Sequence, residues 1–287
     1  MCGGAKTHYG DLVHSQPARP DFDLSRFQDE SRRRGVSVPS IEWPPELGST
    51  NDELAARLES SPGEVAEYAV IGTDFQSGGH GRLGRPWTVP PRASLTFSVP
   101  VRVPPGFPVD RLGWLPITAG WCVAETLREH EIAAGVKWPN DVLVDGKKIC
   151  GILTRACPTP GGLVVIIGIG VNVAFTADEL PVPTATSLSL LGAEVRREEL
   201  LASLLSRLQP AIAEVLAAGD LVHTTATARR VRETMVTLGS SVRVELPGGQ
   251  ELVGRARDLD PAGNLVVETA DGEHRITAGD VIHARSA

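Results

Sequence analysis

Cysteine is scarce in this chain. The four residues, Cys2, Cys122, Cys150 and Cys157, fall in no CxxC pair. That spacing excludes a disulfide scaffold and a cysteine zinc site, and the expectation is free thiols in a reducing cytoplasm. Long apolar runs are missing too. The longest, residues 163–175, is interrupted by Gly168, Gly170 and Asn172. It falls short of the ~20 residues that a bilayer span requires. The first 20 residues hold no apolar stretch of secretory-signal length. A basic excess is absent as well: 28 Lys and Arg stand against 35 Asp and Glu, a net charge of -7. General nucleic-acid binding relies on neutralising phosphates, so neither nucleic acid nor a membrane is an expected partner. The Walker pattern G-x-x-x-x-G-K-[ST] does not occur, which removes the standard phosphate loop.

What remains is an ordinary globular composition, 41% hydrophobic and 22% charged over 287 residues, enough for one large or two modest domains. Residues 1–40 read as a disordered tail and one short N-terminal helix at 23–34 capped by Asp23. One helix is too few for a helix-turn-helix. Residues 41–236 alternate between helix and strand periods. A helix starts at Gly48-Ser49-Thr50-Asn51, and the Asp145-Gly146 turn opens a β-meander that ends in a buried strand at 163–173. Residues 237–287 carry five short strands between tight turns at Pro247-Gly248-Gly249, Asp260-Pro261-Ala262-Gly263 and Asp271-Gly272. That texture predicts a small β-barrel of the Src-homology-3 type.

Two constellations carry chemistry. The first is Val136-Lys137-Trp138-Pro139-Asn140-Asp141, which sets a lysine at a strand end before a stiff Trp-Pro turn. An ammonium is rarely buried without an anion to meet, so Lys137 becomes a candidate for a site that receives negative charge. Asn140 and Asp141 read as turn-shaping residues. Lys147 and Lys148 read as solvated charges flanking the hairpin. The second constellation is the loop Gln76-Ser77-Gly78-Gly79-His80-Gly81-Arg82-Leu83-Gly84-Arg85-Pro86-Trp87. Its glycines match G-x-G-x-x-G, but Arg85-Pro86-Trp87 blocks the helix that a dinucleotide fold needs. The loop reads better as an anion wrap. Glycines let backbone N–H groups converge, Arg82 and Arg85 supply planar cationic forks, and Trp87 offers a face for a flat base.

Taken together and in this order, the two motifs resemble those of biotin–protein ligases. That family carries G-R-G-R-x-G-R-x-W, K-W-P-N-D, G-S-T-N and G-x-G-[IV]-N. This chain has Gly79–Trp87, Lys137–Asp141, Gly48–Asn51 and Gly168–Asn172 at the matching places, followed by Ala185-Thr186-Ser187-Leu188. The resemblance implies an α+β fold: a class II aminoacyl-tRNA-synthetase-like catalytic domain with a mixed, mainly antiparallel sheet, plus the small SH3-like barrel. It implies an ATP-dependent, C–N bond-forming ligase that makes biotinyl-5′-AMP and passes the biotinyl group to a lysine of the carrier domain of acyl-CoA carboxylase. By motif, Ser49, Thr50, Asn51, Gln76, His80, Gly81, Arg82 and Lys137 would bind biotin. Arg82, Arg85, Trp87, Lys137 and Asn172 would bind ATP. Lys137 and Arg82 would be the catalytic cations, and the loop would order over the adenylate. Mg²⁺ would ride mainly on the ATP phosphates, with no protein ligand assigned. His80 departs from the family's arginine. Lipoate or octanoate–protein ligation is the nearest rival, followed by a bifunctional ligase-repressor. The choice between monomer and homodimer stays open.

Overall fold

The computed structural model describes residues 19–246, 250–277 and 279–283. The turn at Pro247-Gly248-Gly249 and residues 1–18 lie outside these. A seven-stranded sheet forms the larger layer. Its strands are β1 (Ile41–Glu42), β2 (Val70–Thr73), β3 (Ser94–Arg102), β4 (Ala134–Lys137), β5 (Asp141–Val144), β6 (Lys147–Thr159) and β7 (Gly162–Asn172). The spatial order is β1-β2-β3-β7-β6-β5-β4, with β1–β2 parallel and the other pairs antiparallel. This is the mixed, mainly antiparallel sheet that the family resemblance implies.

Strand alternation divides the sheet into two faces. On β3 and β7, Leu95, Phe97, Val99, Val101, Val165, Ile167, Ile169 and Val171 enter the main core. There they meet α3 (Trp114–Arg128) and α4 (Arg197–Ala218). Helix α4 is long and apolar enough to cross a bilayer by composition. Its Leu200, Leu201, Leu204, Leu205, Leu208 and Ile212 are instead buried in this core. On the opposite face, Val164 and Ile166 pack with Leu54, Ala55 and Leu58 of α2 (Thr50–Ser60). Further along β7 the same face carries Gly168 and Gly170, where side chains are missing, and a trough opens.

The segment 19–34 is not an appendage. Helix α1 (Leu24–Arg33) begins after Asp23, whose carboxylate accepts from the Ser25 and Arg26 amides. Phe22 and Phe27 belong to the main core. Phe22 stacks on Trp43 with ring centroids 3.6 Å apart. Below them, Arg197 Nη1 donates to Asp74 Oδ1 at 2.7 Å and Arg197 Nη2 to the Pro20 carbonyl at 2.8 Å.

The C-terminal sheet contains β8 (Ser241–Glu245), β9 (Glu251–Leu259), β10 (Leu265–Thr269), β11 (Gly272–Ile276) and β12 (Asp280–His283), in the order β11-β10-β9-β8-β12. All its pairings are antiparallel, as expected for the barrel. Helix α5 (Ala226–Thr234) leads into it. Two indoles fasten it to the catalytic domain: Trp114 Nε1 donates to the Pro261 carbonyl and Trp138 Nε1 to the Gly263 carbonyl, both at 3.0 Å.

Candidate active site

The trough becomes a cleft of about 520 Å³. Its floor is β7, and three glycines explain its depth. A Cβ on Gly168 would stand 2.3 Å from Asn51 Oδ1, and one on Gly170 would stand 2.6 Å from the Trp87 ring. On the neighbouring strand, a Cβ on Gly151 would meet Lys148 Nζ at 3.1 Å and Trp87 at 3.3 Å. The glycines of Gly168-Ile169-Gly170 fall on one face because strand side chains alternate. Asn51, Trp87 and Asn172 therefore succeed one another along β7 over roughly 13 Å.

The end at α2 is neutral and polar. Ser49 caps the helix, its Oγ accepting from the Asp52 amide at 3.3 Å. Gln76 Oε1 accepts the Thr50 amide at 2.8 Å, so its Nε2 is turned away as a donor. Asn51 Nδ2 donates to the Leu153 carbonyl at 3.0 Å. The opposite end is flatter and more apolar, formed by Trp87, Phe175, Pro181, Val182 and Ala185. There Asn172 Nδ2 donates to the Thr186 carbonyl at 2.9 Å. Trp87 Nε1 is buried without a hydrogen-bond partner. A ligand acceptor placed there would remove a cost of about 1–3 kcal/mol.

The cleft's cations are Arg82, Arg85 and Lys148. The Gly-Arg loop that carries the arginines is folded as a narrow ribbon. Trp87 N–H donates to the Gly79 carbonyl at 2.8 Å and Gly81 N–H to the Arg85 carbonyl at 2.7 Å. These main-chain bonds give the shape that the loop takes over the cleft. His80 Nδ1 lies 3.3 Å from the Gly78 carbonyl and 3.7 Å from Asp52 Oδ2, beside the first turn of α2. Arg82 Nη1 donates to Asn140 Oδ1 at 3.2 Å, and Nη2 to the Gly279 carbonyl of the C-terminal domain at 3.3 Å. Asn140 itself donates to the Ile152 carbonyl at 2.7 Å, which is the structural role expected of it.

Ser49, Thr50, Asn51, Gln76, His80, Gly81, Arg82, Arg85, Trp87 and Asn172 all line this one cleft. Lys137 does not. It stands on the neighbouring strand β4 directly opposite Asp141, so its side chain leaves the sheet on the same face as that carboxylate. The lysine among the described residues that line the cleft is Lys148, one of the two charges flanking the hairpin. Asp145 and Gly146 both have positive φ, 48° and 73°, as a two-residue hairpin turn requires. That turn pairs Val144 with Lys147 and Leu143 with Lys148. Val142 and Val144 face the core, so Leu143 and Lys148 face the cleft side. A bulge then lets Ile149 and Cys150 both enter the core and brings Gly151 opposite Asp141. The Asp-Gly turn was the sequence signal for Lys148, since its length alone sets that register. Lys148 Nζ sits 2.6 Å from Asp141 Oδ1 and 5.7 Å from the Trp87 centroid. Burial pushes the Cys150 thiol well above its ordinary pKa, so the sulfur beneath this strand is inert.

A cleft with a neutral polar pocket, a belt of cations and an aromatic seat, carried on a glycine trough and flanked by a small β-barrel, defines an enzyme that activates an acid with a nucleotide. Residues 44–172 match the biotin/lipoate A/B protein ligase family, and residues 237–284 match the biotin protein ligase C terminal domain. The biotin–[acetyl-CoA-carboxylase] ligase of Mycobacterium tuberculosis is 36% identical, over 93% of this chain and 97% of its own length. The bifunctional ligase/repressor BirA of Escherichia coli is 30% identical, over 85% of this chain and 73% of its own length. The structure of the Aquifex aeolicus biotin protein ligase in complex with biotin and ATP superimposes with a TM-score of 0.70 at 27% identity, over 87% of this chain and 100% of that one. The chain belongs to the biotin protein ligase family.

Proposed function

We propose that this chain is an ATP-dependent biotin–protein ligase acting on acetyl-CoA carboxylase. The observation that carries the reading is the meeting of three chemistries over one glycine floor: neutral hydrogen-bonding groups at Gly168, an aromatic face at Gly170, and a cation at Gly151. A ureido ring has N–H donors and a carbonyl acceptor, which suit Thr50, Asn51 and Gln76. A plain acyl chain offers these groups nothing, so lipoate or octanoate fits less well. The ligand's carboxylate then lies among Arg82, Arg85 and Lys148, and adenine lies against Trp87 near Asn172.

The carboxylate oxygen attacks the α-phosphorus of ATP, and pyrophosphate leaves with its electron pair. Two anions must meet, so fixed positive charge lowers the barrier. Lys148 is the cation best placed for it. The ammonium lies over the glycine floor between the two halves of the cleft, held by Asp141 in a contact that lacks hydrogen-bond alignment. A carrier lysine then attacks the acyl carbon, AMP departs, and the amine loses a proton. Among the described residues no cluster of three His, Cys, Asp or Glu could hold a metal. Asp141 is the sole carboxylate among the described residues that line the cleft. Mg²⁺ would be carried by the triphosphate, where it would neutralise phosphate charge.

Incubation with biotin, Mg-ATP and a carrier domain of acetyl-CoA carboxylase should add one biotinyl group to the carrier, read by intact mass. An unmodified carrier, or a lipoyl adduct formed in preference, would refute the reading. The aromatic seat has its own test. Gly170→Ala must push Trp87 off the floor, because its Cβ would stand 2.6 Å from the ring. The expected result is a rise in KM for ATP of about tenfold, with KM for biotin little changed.

A further inference from the structure

Beneath the neutral end of the cleft, Ser98 of β3 is fully buried and touches two of the residues assigned to biotin. Its Oγ lies 2.6 Å from Asn51 Oδ1 and 2.7 Å from Thr50 Oγ1. A serine hydroxyl has one proton, so it cannot donate to both. Proton counting settles the direction. Asn51 Nδ2 donates to the Leu153 carbonyl, and the opposite amide orientation would press two oxygens together. Asn51 Oδ1 therefore faces Ser98 and can only accept. Ser98 spends its proton there. Toward Thr50 it can only accept, so the Thr50 proton points inward at Ser98. The longer approach of Thr50 Oγ1 to Gln76 Oε1, 3.1 Å, loses the competition for that proton. Gln76 Oε1 already receives the Thr50 amide N–H.

We propose that Ser98 is a positioning residue that fixes Thr50 Oγ1 as an acceptor-only group at the mouth of the neutral pocket, so that the site selects a ligand by an N–H donor. The relay runs Thr50 to Ser98 to Asn51 to the Leu153 carbonyl. Each proton in it points away from the cleft, and the Thr50 lone pairs and the second Asn51 N–H are left for ligand. The inference rests on the proposed biotin reading, and it assigns to a residue outside the cleft lining the choice between donor and acceptor partners. In the absence of Ser98 the Thr50 hydroxyl keeps only the longer contact to Gln76 Oε1, an oxygen that already takes the Thr50 amide N–H, so it can rotate and donate to ligand.

The test compares biotin with the two cyclic carbamate analogues in which one ureido N–H is replaced by ring oxygen. Binding is measured by calorimetry on the full chain. Wild type should reject the analogue that meets Thr50 by roughly a hundredfold, because two acceptors then face each other. Ser98→Ala should weaken biotin by about tenfold and shrink the rejection to severalfold. In steady state the loss should fall on KM for biotin more than on kcat. In a Thr50→Val background, Ser98→Ala should leave the discrimination where Thr50→Val alone puts it. Equal weakening of biotin and both analogues by Ser98→Ala would make Ser98 a mere packing residue and overturn the proposal. So would an undiminished rejection, or an additive effect on discrimination in the double variant. If the wild type fails to bind biotin at all, the functional reading fails instead, which separates the two outcomes. Should Ser98→Ala melt early, Ser98→Cys, close in volume and a weak donor, gives the same comparison.

Discussion

Lys148→Met abolishes adenylate formation to within the background of the assay, a loss of roughly 100- to 1,000-fold in kcat. Methionine keeps the length and apolar stem of lysine, so the hairpin and the glycine floor beneath it stay filled. What disappears is the charge that lies 2.6 Å from Asp141 and over the Trp87 ring. The loss should exceed a simple deletion, because Asp141 then faces the incoming phosphate with no cation beside it. Lys137→Met should cost less than about threefold if Lys148 alone carries this charge, since Lys137 stands beside Asp141 and not among the residues that line the cleft. Pyrophosphate release with biotin and Mg-ATP measures both. Equal losses in the two variants would show that the register of β5 and β6 does not decide which lysine works.

Arg197→Met destabilises the fold by about 3–5 kcal/mol. The arginine and Asp74 are both buried, with side chains 6% and 9% exposed. Asp74 also accepts from Trp43 Nε1 at 2.9 Å, and Arg197 holds the Pro20 carbonyl. Removing the guanidinium leaves a carboxylate in the core interior with one neutral donor and a distant Arg92, 3.9 Å away. The midpoint of urea unfolding should fall with little change in slope. Asp74 lies two residues before Gln76, so the pair also anchors the strand end from which Gln76 reaches Thr50. A stability loss below about 1 kcal/mol would mean that water reaches the bridge and that the Arg19–Arg34 segment is not clamped by it.

Much of this architecture was legible in the residues themselves. Asp23 and Ser49 cap the helices for which their positions spoke, since each carries a short acceptor before a helical run. The trough under the cleft was legible too, because glycines two apart in Gly168-Ile169-Gly170 must share a face of a strand. The docking of the N-terminal helix is not legible in the same way. Its anchors, Phe22 on Trp43 and Pro20 on Arg197, are contacts between residues far apart in the chain, and no local period announces them. Which of the two lysines meets the phosphate is less legible. Lys137 drew attention through its Trp-Pro neighbours, but bulk beside a residue does not tell which face or which strand it occupies. The two-residue Asp145-Gly146 turn does tell, by setting Lys148 against Leu143. The bulge at Ile149 and Cys150 was beyond sequence reasoning, because only the packed core shows that both side chains are inside.

The central claim is that this cleft joins biotin to AMP through the charge on Lys148. The most direct measurement is a single turnover with biotin, Mg²⁺ and α-labelled ATP, followed by separation of biotinyl-5′-AMP. The wild type and Lys137→Met should form the adenylate at similar rates, and Lys148→Met should form none. Adenylate accumulating on Lys148→Met, or missing from Lys137→Met, would contradict the account.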